Sequence, residues 1–192
     1  MPVSTNASFA DRNPFPDALP LPFEEGVPSP EKVRAMASWL RRHSGKYDYG
    51  RIEYVVLYHA TGISIPVLEQ GLLPTSVTRR RSYQSTSGYV YLAPTPERAK
   101  TFGDLGNGGR SRIYAVKAPV KALRADTDQL NNLRSVGVIV GNSVAESIVY
   151  GGSVRVKGRI EAWRIREVFF PPVHRGDEIT QFNYRGKASF CP

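Results

Sequence analysis

The sequence predicts an α+β domain. Three observations carry that expectation: strand-like segments outnumber helical ones, the helices do not alternate with them as a doubly wound sheet requires, and 192 residues with 41% hydrophobic and 22% charged side chains suit one globular domain with a real core.

Residues Met1 to Ser29 hold six prolines and show neither helical nor strand period, so positions 1–29 are expected to form an extended arm or a disordered leader. Ser29-Pro30 reads as a helix N-cap followed by proline at the first helical position. Val33, Met36, Ala37 and Leu40 then recur at helical spacing as far as Gly45. Arg41, Arg42 and His43 fall in the last turn of this helix and complement its dipole. Ile52 to Tyr58 is β-branched and aromatic and predicts a buried strand, with a short helix from about Ser64 to Gln70 closed by Gly71. Tyr89 to Ala93 predicts a second strand, and Thr95-Pro96-Glu97 opens a helix that Gly103 is expected to stop. Arg112 to Ala118, Val136 to Val140, Ser147 to Tyr150, Val154 to Lys157 and Trp163 to Phe169 are further strand candidates. The folded domain is thus expected over 30–170, with a tail at 171–192.

Composition narrows the function classes. No apolar run approaches the roughly 20 residues of a membrane span, and the first thirty residues lack a secretory pattern, so no membrane contact and a cytoplasmic location are expected. The single cysteine, Cys191, gives no internal disulfide or cysteine metal cluster. His43, His59 and His174 form no pair at ligand spacing, so no metal is expected. Asp104 to Arg110 is glycine-rich, but it lacks the Gly-Lys-Ser/Thr ending of a phosphate loop and reads as a flexible turn. A net charge of +9, partly clustered at Arg79-Arg80-Arg81 and between Arg155 and Arg166, suits phosphate-bearing partners, nucleotides and nucleic acid among them, or serves solubility alone.

Two strand ends carry chemistry-bearing side chains: Leu57-Tyr58-His59-Ala60-Thr61 and Gly88-Tyr89-Val90-Tyr91-Leu92-Ala93. A third segment, Ala145-Glu146-Ser147-Ile148-Val149-Tyr150, adds a carboxylate before an apolar run. In this order they resemble the ADP-ribosyltransferases of the diphtheria-toxin and poly-ADP-ribose-polymerase type. The resemblance spans about His59 to Arg166, roughly half of the chain. It implies a split β-sheet core with a few flanking helices, NAD as substrate, and His59, Tyr91 and Glu146 around one cleft. It further implies that His59 bonds ribose hydroxyls, that the main chain of Ala60 pairs with the carboxamide, that Thr61 assists, and that Phe102 stacks opposite Tyr91.

The chemistry asks for the same parts. Breaking the bond between nicotinamide and ribose makes an oxocarbenium-like sugar, which needs a fixed anion beside it and flat faces to hold the leaving ring. Glu146 is the expected anion and Glu161 its rival. Of Tyr89 and Tyr91 only one is expected to face the cleft; motif register selects Tyr91 and leaves Tyr89 to packing. Ala99, eight residues after Tyr91, stands where polymerases of the family often have a serine. Ser85-Thr86-Ser87 resembles an element of the other large transferase branch, but that branch's Glu-x-Glu is absent, which sets that branch second.

The expected function is mono-ADP-ribosyl transfer to a macromolecule, nucleic acid favoured and protein as the alternative, by a bacterial or phage effector or toxin with a possible antitoxin or immunity protein. The rivals are an RNA 2'-phosphotransferase-like enzyme, which shares the fold, and a non-catalytic module binding nucleic acid or ADP-ribose.

Overall fold

The structure is a computed structural model that describes residues 14–44, 52–62, 65–74, 85–107 and 111–168. It is an α+β fold. Its elements are α1 (Pro30–His43), β1 (Tyr54–Gly62), α2 (Val67–Gln70), β2 (Tyr89–Leu92), α3 (Pro96–Asn107), β3 (Ser111–Pro119), β4 (Leu123–Ala125), α4 (Thr127–Ser135), α5 (Val144–Glu146), β5 (Val154–Lys157) and β6 (Ile165–Val168).

The strands form two antiparallel three-stranded sheets, ordered β1-β3-β6 and β2-β5-β4. In β3 six consecutive residues, Ile113 to Ala118, are buried, the pattern of a strand covered on both faces. The second sheet alternates instead. Val90, Leu92, Val154, Val156 and Leu123 enter the core, while Tyr91, Arg155 and Arg124 occupy the other face. Leu57 and Val116 from the first sheet, Met36 and Trp39 from α1, and Ile148 complete that core.

Local sequence explains most boundaries. Ser29 caps α1 by accepting from the Lys32 amide, and His43 in the last turn bonds Glu53 at 2.6 Å and packs on Trp39. Part of the proline-rich arm packs on the first sheet: Leu19 bridges Val55, Phe15 and Ala18 are buried against Val56 and Ala115, and Asp17 pairs with Lys117.

Four expectations are corrected. α3 runs through Gly103 to Asn107, because the glycine lets the helix approach β1: a Cβ there would lie 2.4 Å from Ala60 Cβ. Val136 to Val140 is a turn and loop after α4, held by the Val138 amide on Leu133 O. Ser147 to Gly151 is a π-helical turn, because Ser143 and Glu146 start α5 with a reciprocal capping box before the Ile-Val-Tyr run. The strand expected from Trp163 begins only at Ile165, after a 3₁₀ turn over Ala162–Arg164.

Candidate functional site

The two sheets meet at one isolated bridge. Tyr58 and Ala93 exchange hydrogen bonds of 2.9 and 2.7 Å, and past this point β1 and β2 part. In an antiparallel strand the main-chain groups alternate in direction. Those of Tyr58 point away from β3 toward β2, so those of Ala60 point the same way, beyond the bridge, where no described residue bonds them. Likewise Ala93 and Tyr91 turn their main-chain groups toward β1. Ala60 and Tyr91 therefore face each other across the opening.

His59 spans this opening. Its Nδ1 lies 2.8 Å from Tyr91 O. A carbonyl only accepts, so Nδ1 carries the proton and Nε2 keeps its lone pair. Burial holds the ring's pKa below the usual 6.5, against the opposing pull of that carbonyl, and His59 is neutral at pH 7. One tautomer with an acceptor at Nε2 is thereby selected.

The Tyr91 side chain leads to a second set of residues. Its hydroxyl donates to Asp128 Oδ2 at 2.5 Å. Asp128, in the first turn of α4, also accepts from the Thr86 amide and from Thr86 Oγ1, each at 2.7 Å. The Arg155 guanidinium, paired with Tyr91 across β2–β5, is largely buried, stacks 4.2 Å above the Tyr89 ring and lies 4.0 Å from Asp128 Oδ2. Its Nε and Nη1 are buried with no described hydrogen-bond partner.

Electrostatics follow from these contacts. Burial and the Asp128 carboxylate push the Tyr91 phenol up to about 12. Burial alone would raise Asp128, but hydrogen bonds from Tyr91 and Thr86 and the charge of Arg155 leave it below the ordinary carboxylate value. Asp126, the α4 N-cap, behaves oppositely. Burial raises it, although Ser153 Oγ and the Gln129 amide both donate to it.

Tyr89 and Tyr91 are two residues apart and share one face, contrary to the expectation that only one faces the cleft; the two-residue period of a strand requires this. Thr61 is buried in β1, and Phe102 is partly exposed on α3, next to the Gly103 that packs on Ala60. The chain thus brings together His59, Ala60 and Tyr91.

Glu146 belongs to another network. It ends the three-residue α5 rather than opening a strand. Its Oε1 accepts from the Gly141 amide at 2.7 Å, and its Oε2 from the Ser143 amide at 3.1 Å and Ser143 Oγ at 2.6 Å. These bonds hold its pKa below the usual 4.5. Glu161, the rival, is exposed and pairs with Arg159 at 3.7 Å. Arg79, Arg80 and Arg81 lie outside the described residues.

Asp128 is the carboxylate that sequence reasoning missed. Asp126-Thr127-Asp128 shows only a helix start, and nothing in it points to a tyrosine 37 residues earlier. A separate cavity of about 210 Å³, lined by Pro22, Phe23, Lys32, Met36 and Val149 among others, shares no lining residue with this cluster. Among the described residues, no group of His, Cys, Asp and Glu could hold a metal ion, and no helix is long and apolar enough to cross a membrane.

No family model matches the chain, and no curated protein matches it. Among solved structures, one named EcPltA is similar at 13% identity and a TM-score of 0.37, over 61% of this chain and 77% of its own. Likeness at that level assigns neither fold family nor activity.

Proposed function

We propose that this chain is a mono-ADP-ribosyltransferase that takes NAD as substrate. One observation carries the reading: the sheet opens beside Ala60, and the opening is spanned by a neutral His59 fixed in one tautomer on the Tyr91 carbonyl. The Ala60 N–H and C=O complement a carboxamide, which offers one acceptor and one donor group. The lone pair of His59 Nε2 accepts from a ribose hydroxyl. The half-buried Tyr91 ring offers a flat wall to nicotinamide, with Phe102 on α3 as the candidate second ring and Thr61 as a helper. Sugar and leaving ring are then held before the bond breaks.

The acceptor favoured here is nucleic acid, on the net charge of +9, with a protein as the alternative. Arg155 contributes less to such a surface than its sequence position suggests, because it is folded onto Tyr89. Action as a small cytoplasmic bacterial or phage effector or toxin, checked by an immunity partner, fits an enzyme of this kind.

The test is incubation of the purified chain with NAD, measuring free nicotinamide, and with labelled NAD and a cell lysate followed by nuclease or protease. Nicotinamide release and label lost to nuclease are expected. Label lost only to protease moves the acceptor to protein. NAD binding without nicotinamide release from either mixture favours the binding-module reading, and no interaction with NAD overturns the proposal.

A further inference from the structure

We propose that Asp128, at the start of α4, is the carboxylate that serves ribosyl transfer in this cleft, a role resting on the NAD reading above. Asp128 is the carboxylate bonded to Tyr91, the residue whose carbonyl fixes His59. Its two oxygens offer about four lone-pair positions. Three are taken: Oδ2 receives Tyr91 Oη and the Thr86 amide, and Oδ1 receives Thr86 Oγ1. One position on Oδ1 remains for a ribose hydroxyl.

The surroundings keep this group charged. The Arg155 guanidinium lies 4.0 Å away and is itself immobilised on the Tyr89 ring. The Tyr91 phenol keeps its proton and remains a donor throughout the neutral range. Asp128 is therefore a fixed anion, already oriented before substrate arrives, which suits stabilisation of positive charge that appears only in the transition state. Glu146 also accepts three bonds, but all of them come from Gly141 and Ser143 at the start of α5, and no described bond joins it to Tyr91 or His59.

In the step itself the bond between ribose C1' and the nicotinamide nitrogen breaks, and its electron pair goes to nitrogen, so nicotinamide leaves neutral. The acceptor's oxygen or nitrogen forms the new bond to C1', and its proton passes to solvent. Asp128 offsets the charge on the ribose between these events and ends as it began.

The experiment measures NAD binding by titration and nicotinamide release for the full chain and for Asp128→Asn, Asp128→Ser, Tyr91→Phe and Glu146→Gln, each checked for folding by circular dichroism. Asp128→Asn is expected to lose about 100-fold in turnover while binding NAD within about threefold of the parent chain. Tyr91→Phe removes the phenol contact but keeps the carboxylate, so its loss is expected to be clearly smaller. Glu146→Gln is expected to keep its turnover. Should Asp128→Asn be unfolded, Asp128→Ser carries the same expectation. Asp128 variants that retain parental turnover, or an inactive Glu146→Gln beside an active Asp128→Asn, overturn the assignment while leaving the NAD reading intact. Equal losses in Tyr91→Phe and Asp128→Asn would show that Asp128 merely positions the ring, and overturn its role on the sugar. A parent chain that releases no nicotinamide sinks the NAD reading, and the assignment with it.

Discussion

Glu146→Gln exchanges one carboxylate oxygen for an NH₂ group and tests what that residue does. In the folded chain three donors converge on the carboxylate: the Gly141 amide on Oε1, and the Ser143 amide and hydroxyl on Oε2. A glutamine has one acceptor oxygen, so whichever way it turns, at least one amide N–H then faces an NH₂ group. Losing one charge-assisted bond at a helix start costs about 1–2 kcal/mol, the lower end favoured because the group is partly exposed. For a domain of this size about 2–4 °C per kcal/mol follows, so at that lower end the melting temperature should fall by about 2–4 °C near neutral pH. The pH dependence adds a second signature. The folded pKa of Glu146 lies below the usual 4.5, so its contribution is present above that value and is lost as pH falls through the lower folded value. Thermal melts of both proteins at neutral and acidic pH should therefore show a gap that closes on acidification. Equal melting temperatures at neutral pH, or a gap that ignores acid, would refute the capping account. An unchanged melting temperature with lost turnover would return Glu146 to the cleft.

His59→Ala should weaken NAD binding about tenfold by removing the Nε2 acceptor, which isothermal titration measures. Its stability signature has a definite sign. The folded pKa of His59 is below 6.5, so wild type loses stability as pH falls below 6.5 while the alanine variant does not, and melts across that range should converge or cross. Gly103→Ala would place a methyl 2.4 Å from Ala60 Cβ and 3.0 Å from Ser111 Cβ. Overpacking of about 1–3 kcal/mol then offsets the helix-propensity gain of about 1 kcal/mol, and NAD affinity should drop as Ala60 shifts; Ala60→Gly in the same chain should restore affinity, whereas full affinity in Gly103→Ala alone would free Ala60 of that role.

What the sequence made legible followed from local signals. The Ser29-Pro30 cap, the apolar period of α1 and the alternation in Tyr-Val-Tyr-Leu and Val-Arg-Val-Lys each survive folding, since caps and two-residue or 3.6-residue periods depend on neighbouring residues alone. Ser147 to Tyr150 misled because β-branched residues argue for a strand, while the Ser-x-x-Glu box before them starts a helix. Gly103 misled because glycine at a helix end and glycine at a close crossing look alike until the neighbour, Ala60, is known. His59 and Tyr91 were visible as strand ends, but their direct contact depends on where β1 and β2 part. Asp128 was not visible, because its partners at 86, 91 and 155 come from two other parts of the chain.

The register that builds the second sheet also builds the cluster. Val90, Leu92, Val154 and Val156 must enter the core, so Tyr89, Tyr91, Arg155 and Lys157 must leave it, and a slip of one residue would bury two cationic side chains. Pairing then sets Arg155 opposite Tyr91 on one side and opposite Arg124 on the other. Two like charges facing each other across strands are unfavourable. Arg124 turns back onto the carbonyls of Lys121 and Leu123, whereas Arg155 turns onto Tyr89 and Asp128. A carboxylate at that point relieves the repulsion the sheet creates, and the hydrogen bonds it accepts fix Tyr91 as well. The same anion that makes the pairing tolerable is thus bonded to the residue whose carbonyl fixes His59, so stability and the proposed chemistry place the same demand on position 128.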